Sequence, residues 1–187
     1  MVSGRVVVIN QSIGVAQACR SVSSLRSAEA WLLCTLRLGM SRYDPNCGGA
    51  FFYEQGFIAA RLPENVSEDF GAALGMIRSA AGDPLDIRSP PENDLSADEE
   101  AFLATIHALQ QGDEFTARRL TTGWVSPHRI AAMLRNLAAL AEGMLGVGLR
   151  IPSRWQVMLC PALSLAARRL TENDGVLELD GQPEWAH

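Results

Sequence analysis

The chain has 187 residues, 48% of them hydrophobic and 20% charged, a balance that belongs to globular proteins with a core sufficient without disulfides or metals. Its net charge of -5 at pH 7 argues against a generally basic surface for nucleic acid or anionic membrane, though a local basic patch is compatible with it. All 16 basic residues are arginine, which excludes Schiff-base chemistry, a P-loop lysine and a lysine general base.

A lysine-free, arginine- and alanine-rich chain is what a GC-rich bacterial genome favours, and the expectation is a bacterial protein. Cys19, Cys34, Cys47 and Cys160 form no C-x-x-C, and His107, His128 and His187 stand at no zinc-like spacing from them. Free thiols in a reducing cytoplasm, with no metal site and no cofactor, are therefore expected. Arg5, the apolar run 6–9 and the small residues 16–18 imitate a secretory signal, but Asn10, Gln11 and Ser12 interrupt the apolar stretch too early. No apolar run approaches the ~20 residues that a membrane span needs.

In chain order, residues 5–9 read as a short β-branched strand, followed by a turn and a weak helical stretch to about residue 21. Residues 1–23 are expected to be a loosely attached or strand-bearing extension, and 24–187 the helical domain. A helix is predicted over 27–40, capped by Ser27, with Trp31, Leu32, Cys34, Leu36 and Leu38 inward and Glu29, Thr35 and Arg37 on a narrow polar side. A Pro/Gly-containing loop and an aromatic cluster of Phe51, Phe52, Tyr53 and Phe57 come next.

Residues 67–82 read as a helix with Ser67 as cap and Phe70, Ala73, Leu74 and Ile77 on one face. Three prolines within 83–95 make an irregular connection, a candidate subdomain boundary with Leu85 and Ile87 alternating as in a short strand. Ser96 and Glu99 have the spacing of a capping box, opening a helix to residue 111 that buries Phe102, Leu103, Ile106, Ala108 and Leu109. Asp113 should cap a shorter helix to 122, with Phe115 and Leu120 buried.

The strongest signal lies at 126–148. Ile130, Met133, Leu134, Leu137, Leu140, Ala141, Met144 and Leu145 recur at helical spacing, Ser126 and Pro127 mark the start, and Gly146 and Gly148 the stop. This helix is the expected spine. Beyond it, Ser153 should cap a helix over 154–171, kinked at Pro161, and 176–179 reads as a last strand fragment. The fold class is all-α: a bundle of about six helices with at most one or two short strand segments.

The sharpest functional candidate is the corner at 117–134, where a short helix, a glycine turn and a capped helix resemble a helix-turn-helix. Arg118, Arg119, Trp124, His128, Arg129 and Arg135 are its candidate contacts for a partner or for nucleic acid. Its six-residue step from Ala117 to Gly123 exceeds the usual four, and an ordinary helix–helix corner with solvated arginines, common in bundles, is the favoured account of the pattern. The acids Glu92, Asp94, Asp98, Glu99 and Glu100 surround a helix amino terminus, where the dipole alone favours them over a catalytic role. Tyr43, Asp44, Asn46 and Cys47 form a polar loop with no histidine near in sequence. The aromatic cluster with Trp31, Trp124 and Trp155 could line an apolar ligand pocket or a partner-binding groove, with plain core packing the favoured account.

No catalytic set emerges. The leading expectation is a non-catalytic role through protein–protein contact or self-association on an apolar helical face. A DNA-binding regulator using the 117–134 corner and a binder of an apolar small molecule are the alternatives; the acidic charge disfavours nucleic acid as a partner.

Overall fold

A computed structural model describes residues 21–41, 53–80 and 84–155, and over these the chain is all-α. Six helices follow one another: α1 (Ser27–Ser41), α2 (Tyr53–Ala59), α3 (Glu64–Arg78), α4 (Ala97–Gln110), α5 (Glu114–Leu120) and α6 (Pro127–Gly146). Single 3-10 turns stand at Val22–Ser24 and Ser153–Trp155. Among the described residues, β-type pairing is confined to two isolated bridges, Ser21 with Asp94 and Thr122 with Val125. The predicted strand at 85–87 is not formed: Leu85 and Ile87 lean on the core, and the Ile87 amide turns back to the Leu85 carbonyl at 2.9 Å. The predicted strands at 5–9 and 176–179, the loop holding Cys47, and the helix beyond residue 155 lie outside the described residues.

α6 is the spine. Met133, Leu134, Leu137, Leu140, Ala141 and Met144 are buried along one stripe, between α3, which makes the most extensive contact, and α4. Removing its five large side chains from water contributes on the order of 10 kcal/mol before chain entropy is counted. Pro127 opens the helix as expected, but the Ser126 hydroxyl does not cap it. The Arg129 amide it would have served is taken by Ser126's own carbonyl at 2.8 Å. At the other end Gly146 is still helical, and Gly148 at φ 81° provides the left-handed turn. The Leu149 amide then reaches the Met144 carbonyl at 2.8 Å, closing a Schellman motif.

α2 ends in the same way without a glycine. Arg61 takes φ 58°, and the Leu62 amide reaches the Phe57 carbonyl at 3.0 Å. A side chain in the left-handed region costs about 1–2 kcal/mol; burial of the following Leu62 holds the chain there. Pro63 then starts α3 one turn earlier than the Ser67 cap suggests, because Val66 extends the buried stripe of Phe70, Ala73, Leu74 and Ile77 toward the amino terminus.

Of the predicted aromatic cluster, Tyr53 and Phe57 are part of the core, while Phe51 and Phe52 lie outside the described residues. Trp31, Tyr53, Phe57, Phe70, Phe102 and Trp124 form a continuous chain of ring contacts at centroid separations from 5.3 to 6.5 Å. Most meet edge to face, the geometry the ring quadrupole favours.

The largest correction concerns α1. Its predicted polar side is buried: Glu29 is 0% exposed, Thr35 3% and Arg37 2%. Arg37 meets the fully buried Glu99 of α4 in a two-pronged ion pair, Nε to Oε1 at 2.7 Å and Nη2 to Oε2 at 2.9 Å. Its remaining N–H groups donate to the carbonyls of Ser89, Glu92 and Asp94. Glu99 also accepts from the Arg88 and Ser96 amides, each at 3.0 Å. All five guanidinium donors and four carboxylate acceptor sites are thus used, the condition under which a buried pair is tolerated.

A second latch holds the other end of α1. Glu29 accepts from the Arg26 amide at 2.7 Å and from Arg154 Nε at 2.7 Å, and also from Arg154 Nη2 and the Trp155 indole. Arg26 rather than Ser27 therefore stands at the N-cap of α1, its carbonyl accepting from Ala30 at 2.9 Å. Cys34, predicted inward, is exposed, its place on the buried face taken by Leu33.

Candidate interaction face

The corner at 117–134 is built by short-range capping. Asp113 accepts from the Thr116 amide at 2.9 Å and starts α5, and the hydrogen bond from Thr116 holds its carboxyl below the usual carboxylate range. The Thr121 hydroxyl returns to the Ala117 carbonyl at 3.0 Å as α5 ends. Glycine at 123 takes φ 95°, and α6 follows. α6 packs chiefly on α3 and α4, with α5 touching it much less.

The six candidate residues do not form one free face. Trp124 is turned into the core, 5% exposed and stacked on Phe102 at 6.0 Å. Arg118 reaches Glu114 across one turn of α5 at 3.9 Å. Arg119 lies over the Phe115 ring at 5.9 Å. Arg129 donates to the Ser79 hydroxyl at 2.8 Å, and His128 stands 3.4 Å from the Ser126 hydroxyl. Arg135 is exposed further along α6.

What Arg135 borders is a groove of about 460 Å³ between α6 and the junction of α4 with α5. Leu109, Ala131, Leu134 and Ala138 supply apolar lining, and Glu114, Arg135 and Glu142 supply charge. Close by in the chain, Phe115 is 65% exposed, contrary to the expectation that it is buried. Seven residues leave α5 a single buried stripe, Thr116, Ala117 and Leu120, and Phe115 falls outside it. Sequence reasoning overlooked the groove, although its signal is there: residues 131, 135, 138 and 142 recur at helical spacing opposite the buried stripe, alternating small with charged.

A smaller hollow of about 260 Å³ lies where residues 150–155 cross α4. Much of its polar lining is already engaged. Gln110 donates to the Leu149 carbonyl at 2.9 Å and accepts from the Ile151 amide at 2.8 Å, while His107 Nδ1 donates to the Ile151 carbonyl at 3.0 Å. These bonds clamp the segment after α6 onto α4.

The acidic run has structural work as well. Glu99 neutralises Arg37, Asp98 accepts from the Asp86 amide at 2.7 Å, and Glu92 from the Ser89 amide at 3.0 Å. Tyr43, Asp44, Asn46 and Cys47 lie outside the described residues. Among the described residues, no group of three or more His, Cys, Asp or Glu side chains is arranged to hold a metal ion, and no helix is long and apolar enough to cross a membrane. Set against protein-family models, curated proteins and solved structures, the chain matches none.

Proposed function

We propose that the chain is a non-catalytic interaction module whose contact face is the groove beside α6. The observation that carries this reading is the lining of the groove: small and aliphatic residues between charges of both signs, with Phe115 two-thirds exposed nearby. Apolar contact area flanked by a charged rim is the composition that a docked helix uses. The arginines favour a protein partner over DNA, because Arg118, Arg119 and Arg129 are each engaged by a neighbour and Arg135 shares its groove with Glu114 and Glu142. The lysine-free composition and the exposed Cys34 thiol support a bacterial, cytoplasmic setting.

The test is a photo-crosslinking amino acid placed at Ala131 or Ala138 in producing cells, with Glu68 on α3 as control. Adducts of one discrete mass from the groove positions and none from Glu68 are expected. Equal labelling everywhere, or none in the groove, refutes the face.

A further inference from the structure

Resting on that reading, we propose that the partner is a second copy of the chain, docked with the two α6 helices antiparallel. The groove wall of α6 carries Ala131, Arg135, Ala138 and Glu142, with Arg135 and Glu142 of opposite charge seven residues apart. A helix that matches this wall must present the same charges in reverse order, and α6 read backwards does so. With a two-fold axis between positions 138 and 139, Arg135 faces Glu142 of the second copy, twice by symmetry. Ala138 then meets Ala139, and Ala131 meets Gly146.

Small residues thus oppose small residues and unlike charges oppose each other. The two ion pairs flank the alanine centre at about 5 Å on either side along the axis. Alanine and glycine at the crossing let the helix axes approach to the short end of the roughly 8–10 Å range. A parallel pairing places arginine on arginine and glutamate on glutamate, so charge selects the antiparallel arrangement. Leu109, half-buried, supplies apolar surface beside the seam.

The experiment is sedimentation velocity on the full chain across a concentration series, with Arg135→Glu, Glu142→Arg and the double exchange. A monomer–dimer equilibrium is expected for the unaltered chain. Each single reversal replaces two attractions by two repulsions and should weaken the dimer roughly tenfold to hundredfold, while the double exchange restores it to within about threefold. Matching melting curves at dilution verify that the exposed substitutions leave the monomer folded; where they do not match, Arg135→Gln and Glu142→Gln replace them, each expected to weaken the dimer by a smaller factor. A chain that stays monomeric up to about 100 μM, indifference to every single variant, or additive loss in the double variant overturns the proposal. A discrete adduct with a different protein in cells, beside a monomeric purified chain, overturns this proposal and leaves the interaction face standing.

Discussion

Consider Glu99→Gln. The carboxylate is 0% exposed and takes two bonds from Arg37 and two from the Arg88 and Ser96 amides. A glutamine in the same place keeps one oxygen and turns an NH2 group toward donors. Arg37, 2% exposed, is left with its charge buried and uncompensated. Removing one partner of such a pair costs about 3–5 kcal/mol, a large part of the ~5–15 kcal/mol that holds an ordinary domain folded. Arg37→Met should cost a similar amount, since it strands the carboxylate. The double variant Arg37→Met, Glu99→Gln leaves no buried charge and should cost less than the two losses added, by at least about 2 kcal/mol. Urea unfolding followed by tryptophan fluorescence measures all four proteins. A loss below about 1 kcal/mol for either single variant, or simple additivity, would refute the claim that these two charges are closed off from water and serve each other.

Other outcomes follow from the same contacts. Leu137→Ala removes a fully buried side chain from the middle of α6 and should cost about 2–5 kcal/mol in the same assay; under half a kcal/mol would place it outside the core. Asp113→Ala should cost about 1 kcal/mol at neutral pH through loss of the α5 cap. Because bonds from Thr116 lower the Asp113 pKa in the folded state, its charge contribution is full above the ordinary carboxylate value and fades as pH falls through the lowered one. The deficit of Asp113→Ala should therefore shrink below about pH 4, and a deficit that grows there contradicts the assignment. Fluorescence anisotropy with duplex DNA at about 0.15 M salt should show no binding, given the net charge of -5; salt-steep submicromolar affinity abolished by replacing Arg118 and Arg129 with alanine would return the corner to a DNA-reading role.

The helices were legible wherever apolar periodicity and a local stop signal coincided. α4 and α6 stand where predicted, the Ser96–Glu99 capping box is formed, and Gly112 and Gly148 end their helices. Local pattern failed where partners lie far along the chain. Glu29 and Arg37 read as solvated because a charge on a helix usually is, and nothing near them in sequence announces Arg154 or Glu99, at separations of 125 and 62 residues. Arg61 misleads differently, since the left-handed position that ends α2 carries no glycine to mark it. At the corner, residue type suggested a shared role for Arg118, Trp124 and Arg135, yet the turn at Gly123 sends Trp124 inward while the phase of α6 sends Arg135 toward the groove. The groove itself needed three dimensions, because Leu109 and Leu134 meet beside it only when α4 and α6 are packed.

The bond between Glu29 and Arg154 sets an order of events during synthesis. α1 emerges early, but the guanidinium that neutralises its buried carboxylate is encoded 125 residues later. At about 5–20 residues per second, that interval is roughly 6–25 s. Until then, seating α1 against α4 would enclose a carboxylate held by little more than the Arg26 amide. The first of the described helices to be made thereby waits for the strap that follows α6 before its buried carboxylate is neutralised.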